Sequence, residues 1–301
     1  MRKLAAAWLL AFLNCFVPCA GAEPVQAVCT LFPVYDFARQ VGENLADVRL
    51  LLPPEAEAHS FEPRPQDVRL MNDADVFVFT GKEMEPWALR LARSLEGPIV
   101  VDASEGIPLL RSGDGHSGDE EGHVPHHHVF DPHVWLDLSM AQRMVDNIAA
   151  GFCAADPQNK ETYLRNASAY KAQLAELDEE IRDITAKAKR RTLVFGGRFA
   201  CRYFLRRYGL NWVTAYDGEN EPGIRRVAKV VQYMKEHDVH YLLHDEFSQP
   251  KIARSIAEQT GAGLLMFHAA HNVTREDLTE GITFLDIMRS NRDLLIPALA
   301  Q

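Results

Sequence analysis

From residue 159 to residue 191 the chain contains neither proline nor glycine, and Tyr163, Leu164, Ala167, Tyr170, Leu174, Leu177, Ile181 and Ile184 recur at steps of mostly three and four. That period is one face of an α-helix. At 1.5 Å per residue, about thirty residues make a rod of roughly 45 Å. A helix of this length, with strand-like sequence on either side, divides the chain into two halves. It suits a rigid connector better than a core element.

Each half alternates short apolar runs with amphipathic ones. Strands are expected at 25–31, 48–52, 76–80 and 98–102, then at 192–195, 211–215, 239–243 and 263–267. Helices are expected at 34–41, 65–72, 86–94 and 139–155, then at 197–208, 222–236, 250–260 and 275–289. Such alternation predicts an α/β fold with mostly parallel sheets. Ser139 followed by Gln142 reads as a capping box opening one helix. The expected division is an N-terminal lobe over 23–157, a linking helix over 158–191 and a C-terminal lobe over 192–301.

The first residues read as an export signal. Arg2 and Lys3 precede a short apolar run, and Ala20-Gly21-Ala22 supplies the small residues of a cleavage site. Residues 1–22 are therefore expected to be a signal peptide and the mature chain to be periplasmic, without a transmembrane segment. Pro18 ahead of Cys19 fits a lipid-attachment site badly. With 32 Lys+Arg against 42 Asp+Glu, the acidic balance disfavours nucleic acid and anionic membranes as partners. Cys29, Cys153 and Cys201 are far apart with no Cys-x-x-Cys neighbour, so buried thiols are expected rather than metal ligands.

Histidine is the residue type that carries chemistry here. Of twelve in the chain, five (His116, His123, His126, His127 and His128) lie in the Gly- and acid-rich segment 113–128, which reads as an auxiliary, weakly metal-binding loop. His133 follows Asp131-Pro132 just ahead of a helix, and His59 sits in His59-Ser60-Phe61-Glu62-Pro63 between a strand and a helix. Junctions of this kind are where parallel α/β sheets bind ligands.

Three stretches, His59 to Asp67, Thr80 to Trp87 and Asp131 to Asp137, resemble the zinc- and manganese-binding solute receptors of ABC importers, cluster A-I. The resemblance runs over nearly the whole mature chain. It implies two pseudo-symmetric lobes joined by one long helix, with a metal in the cleft between them, and His59 and His133 as ligands from the first lobe. The family's usual third histidine corresponds here to Arg198, which has no lone pair to offer. The family's last ligand falls at His268-Ala269-Ala270-His271, with His271 favoured and His268 as a weaker candidate or a support. A salt bridge from Arg198 to Glu246 is expected to neutralise the arginine beside the cation.

Three imidazoles with at most one carboxylate suit Zn2+ over Mn2+, which prefers more oxygen. The expected function is a monomeric extracytoplasmic receptor that captures zinc and delivers it to an ABC importer permease, without enzymatic activity. The alternatives are a manganese receptor and a metal buffer or adhesin of the same fold. A secreted zinc hydrolase would need an open coordination position and a general base, and the chain carries no His-Glu-x-x-His motif.

Overall fold

The computed structural model describes residues 23–111, 130–216, 222–246 and 250–300. In the first half, β1 (Val25–Cys29), β2 (Ala46–Leu50), β3 (Val76–Phe79) and β4 (Ile99–Asp102) form a parallel sheet in the order β2-β1-β3-β4. In the second, β5 (Thr192–Phe195), β6 (Asn211–Thr214), β7 (Tyr241–His244) and β8 (Gly263–Met266) form a parallel sheet in the order β6-β5-β7-β8. The two sheets share one topology, so the lobes are pseudo-symmetric. All four residues of β3 are buried, as expected for a central parallel strand covered by helices on both faces.

The first lobe carries α1 (Phe32–Gly42), α2 (Pro65–Asn72), α3 (Pro86–Ala92) and α4 (Leu138–Ala155). The second carries α6 (Arg202–Arg207), α7 (Ile224–Glu236), α8 (Lys251–Thr260), α9 (Arg275–Glu280) and α10 (Phe284–Leu299). Between them runs α5 (Lys160–Ala186), 27 residues long and therefore about 40 Å. It is more than the connector the sequence suggested. Tyr163, Ala167, Tyr170, Leu174, Leu177 and Ile181 join one apolar core that also takes in Phe37 and Phe152 of the first lobe and Leu193 and Phe204 of the second. The period of the helix placed most of this face, though Leu164, expected on it, is exposed, and what covers the face is a tertiary matter. Helix α10 crosses back: Phe284 at its start lies edge-on to Phe37 at 4.9 Å, and its N–H donates to Asp36 Oδ2 at 3.0 Å.

Three expectations are corrected. Helix α4 is capped by Asp137, not Ser139: Asp137 Oδ1 accepts the Ser139 N–H at 2.8 Å and its hydroxyl at 2.6 Å. An ionised carboxylate is the stronger acceptor for a helix N-terminus. The helix expected at 197–208 is confined to Arg202–Arg207. Gly196 and Gly197 pass so close to Ala253 and Asp245 that a Cβ on Gly197 would meet Asp245 Oδ1 at 2.3 Å, and the chain stays irregular there. The single helix expected at 275–289 is two. Gly281 ends α9 in the left-handed region at φ 77, and Thr283 with Asp286 opens α10 by a capping box.

Cys29 and Cys201 are buried, Cys153 is half-buried, and all three are free thiols. Among the described residues, no helix is long and apolar enough to cross a membrane.

Candidate metal centre

His59 stands on the loop between β2 and α2, at the carboxyl edge of the first sheet, and its N–H donates to Glu57 Oε1 at 3.3 Å. His133 precedes the short 3-10 turn Val134–Leu136 that leads into α4. Asp131 holds this histidine twice, Oδ1 accepting its backbone N–H at 3.0 Å and lying 2.7 Å from its Nδ1. Burial works against ionisation of Asp131, but His133 beside it outweighs that and keeps the carboxyl below the usual carboxylate range. With Nδ1 committed to a carboxylate, Nε2 of His133 is the nitrogen left for a ligand's role.

His271 comes from the other lobe, on the segment between β8 and α9, and that segment is docked on the first lobe. The Phe32 N–H donates to His271 O at 3.4 Å and the Glu55 N–H to Val273 O at 3.1 Å. The Asn272 amide donates to Pro53 O at 2.6 Å and Ala56 O at 3.0 Å. Asn272 is fully buried, so the sequence Asn272-Val273-Thr274 is no exposed glycosylation site. Ala270, directly before the histidine, is fully buried and takes the left-handed φ of 60 that residues other than glycine seldom adopt. Such strain persists where the surroundings over-determine it.

These placements bring one ligand atom each of His59, His133 and His271 within 4.8 Å of one another. Donor nitrogens around a tetrahedral zinc stand roughly 3.4 Å apart, so small side-chain rotations close the trio on an ion. Trp135 forms the floor, its ring centroid 5.3 Å from that of His133 and 5.4 Å from that of His271. Its indole N–H donates to Ala269 O at 2.8 Å and ties the floor to the second lobe.

His268 lies outside the trio. Its Nδ1 accepts the Ala270 N–H at 3.0 Å, and its backbone is fastened to Asn291. Arg198 does not pair with Glu246. Its guanidinium donates to Glu57 Oε2 at 2.6 Å across the mouth of the cleft, and its backbone N–H to Asp245 Oδ1 at 3.0 Å. Both partners are about half exposed, 47% and 45%, and a pair of that kind contributes at most about 1 kcal/mol. The Glu246 side chain is buried instead, 6% exposed, and its carboxylate accepts the Ala269 N–H at 3.0 Å and lies 3.6 Å from His268 and 3.8 Å from His271. His116, His123, His126, His127 and His128 fall outside the described residues.

Sequence reasoning passed over Glu57, Asp131 and Trp135 as parts of the site. The signal for Asp131 was present in Asp131-Pro132-His133, an acid two residues before a candidate ligand. Nothing local marks Glu57 as the partner of a residue 141 positions away.

The family described as zinc-uptake complex component A, periplasmic, matches residues 27–298. The high-affinity zinc uptake system protein ZnuA of Bacillus subtilis is 34% identical over 282 residues, covering 92% of this chain and 88% of that protein. The structure of Zn(II)-bound AdcA from Streptococcus pneumoniae is similar with a TM-score of 0.79 at 29% identity, over 93% of this chain and 58% of that one. The laminin-binding protein Lmb of Streptococcus agalactiae, described as bifunctional in adhesion and metal transport, aligns with a TM-score of 0.79 at 28% identity, over 92% of this chain and 100% of that one.

Proposed function

The chain belongs to the family of periplasmic zinc-uptake components, and from that premise we propose that it is an extracytoplasmic receptor that captures Zn2+ between its lobes and delivers it to an ABC importer. The observation that carries this reading is the convergence of His59, His133 and His271 from two lobes onto one point. We assign these three as the ligands, and Arg198 and Glu246 as flanking groups that do not coordinate. An all-imidazole donor set favours zinc over manganese, which binds best to oxygen. Reversible capture needs no bond-making group, so the chain acts as a binding protein rather than an enzyme.

The same reading assigns residues 1–22 to a removable signal, 23–157 and 192–301 to the two lobes, 158–191 to the linking helix, and 113–128 to weak auxiliary metal binding. It describes a monomer that docks on a permease after export to the periplasm. Adhesion is a second reading, favoured by the similarity to Lmb, and it is compatible with zinc capture.

Zinc affinity of purified variants tests the assignment. His59→Ala, His133→Ala and His271→Ala should each raise the zinc Kd at least about tenfold, because each removes one of three nitrogens from the ion. An unchanged Kd for His133→Ala, measured by competition with a chromophoric chelator, would show that the tight site lies elsewhere.

A further inference from the structure

Glu246 follows β7 and is buried between two imidazoles that are chemically unequal. Its Oε1 lies 3.6 Å from His268 Nδ1 and 3.8 Å from His271 Nδ1. The Ala270 N–H donates to His268 Nδ1 at 3.0 Å. A ring nitrogen that accepts a hydrogen bond carries no proton, so His268 has none at Nδ1 to offer Glu246. The remaining partner for Oε1 is the Nδ1–H of His271. That tautomer leaves His271 Nε2, which is buried and makes no hydrogen bond among the described residues, as the donor lone pair. Asp131 holds His133 in the same way from the opposite side, at 2.7 Å.

We infer that Glu246 is the positioning residue of His271, the counterpart of Asp131 behind His133, so that two carboxylates that never touch the cation match its two positive charges through two imidazoles. Both side chains are buried. A carboxylate behind a ligating imidazole fixes the ring and makes its free nitrogen a stronger donor. The 3.8 Å separation then shortens to a hydrogen bond when His271 turns onto the ion. His268 acts on the backbone instead, since by accepting the Ala270 N–H it holds the left-handed turn that aims His271. The inference rests on the three-histidine zinc site proposed above.

Zinc competition titrations on Glu246→Gln, Glu246→Asp, His268→Asn and His133→Ala, with melting of each metal-free protein and the cobalt(II) absorption spectrum, test it. Glu246→Gln keeps shape and loses charge, and should raise the zinc Kd roughly ten- to a hundredfold with the cobalt band shape unchanged. Glu246→Asp should recover part of that loss. His268→Asn, whose amide oxygen still accepts the Ala270 N–H, should stay within about threefold of the parent. Wild-type zinc affinity in Glu246→Gln overturns the assignment, as does a cobalt spectrum that reports a lost ligand, since Glu246 would then touch the metal. If Glu246→Gln melts below the working temperature, Glu246→Asp decides, and undiminished affinity there overturns it. Retained affinity in His133→Ala would instead sink the three-histidine site itself.

Discussion

At the scale of single residues, Glu85 ties pH to stability. It is buried beyond the end of β3, where its Oε2 accepts the Thr80 N–H at 2.6 Å. Burial raises its pKa from 4.5 to about 7, against the hydrogen bond from the Thr80 N–H. Between those two values the folded protein holds a proton that the unfolded chain has released. The stability this group allows is therefore complete below pH 4.5 and lost as pH rises through about 7. The loss is on the order of 3 kcal/mol. Glu85→Gln should flatten that part of the profile, so that urea unfolding at about pH 5 and pH 8 separates the parent's two stabilities by about 2–3 kcal/mol more than the variant's. Equal slopes for the two proteins would refute it. Residue identities alone pointed to the histidines, because imidazole is a common zinc ligand at neutral pH and Cys29, Cys153 and Cys201 stand far apart in sequence. They could not reveal that Glu85 is enclosed, since enclosure depends on what packs above β3.

Secondary-structure elements were legible wherever a strong local signal existed. Pro65 opens α2 at the expected residue, and β5 occupies Thr192–Phe195 as its apolar run predicts. Helix starts were less legible where two acceptors compete. At α4, Asp137 takes the cap and also lies 3.5 Å from Arg207 Nε, an arginine that reaches Asp178 of α5 at 2.7 Å. Asp137→Ala should lower stability by about 1–2 kcal/mol, whereas Ser139→Ala should cost within about 0.5 kcal/mol. Denaturant midpoints measure both, and a Ser139→Ala loss as large as that of Asp137→Ala would return the cap to Ser139. Helix α6 was overextended in sequence because its apolar period begins before the chain is free of the Gly196-Gly197 contact.

At the scale of the whole molecule, the two lobes are sewn together. One apolar core spans both, and α5 and α10 each cross between them. The Trp135 indole reaches Ala269 O, and the Tyr203 hydroxyl donates to Asp131 O at 2.9 Å. A shared core predicts cooperative loss of both lobes. Tryptophan fluorescence, with Trp135 in one lobe and Trp212 in the other, and far-UV circular dichroism should trace one coincident urea transition, and two separated transitions would show independently folding lobes. The sequence by itself determined the α/β class, the long helix and the histidines, because periodicity, turn residues and ligand chemistry are local properties. Only the tertiary structure decided that Arg198 meets Glu57, that Glu246 stands behind His271, and that the His271 segment rests on the first lobe. Those partners are far apart along the chain, and no residue pattern states which loops two separately wound sheets will bring face to face.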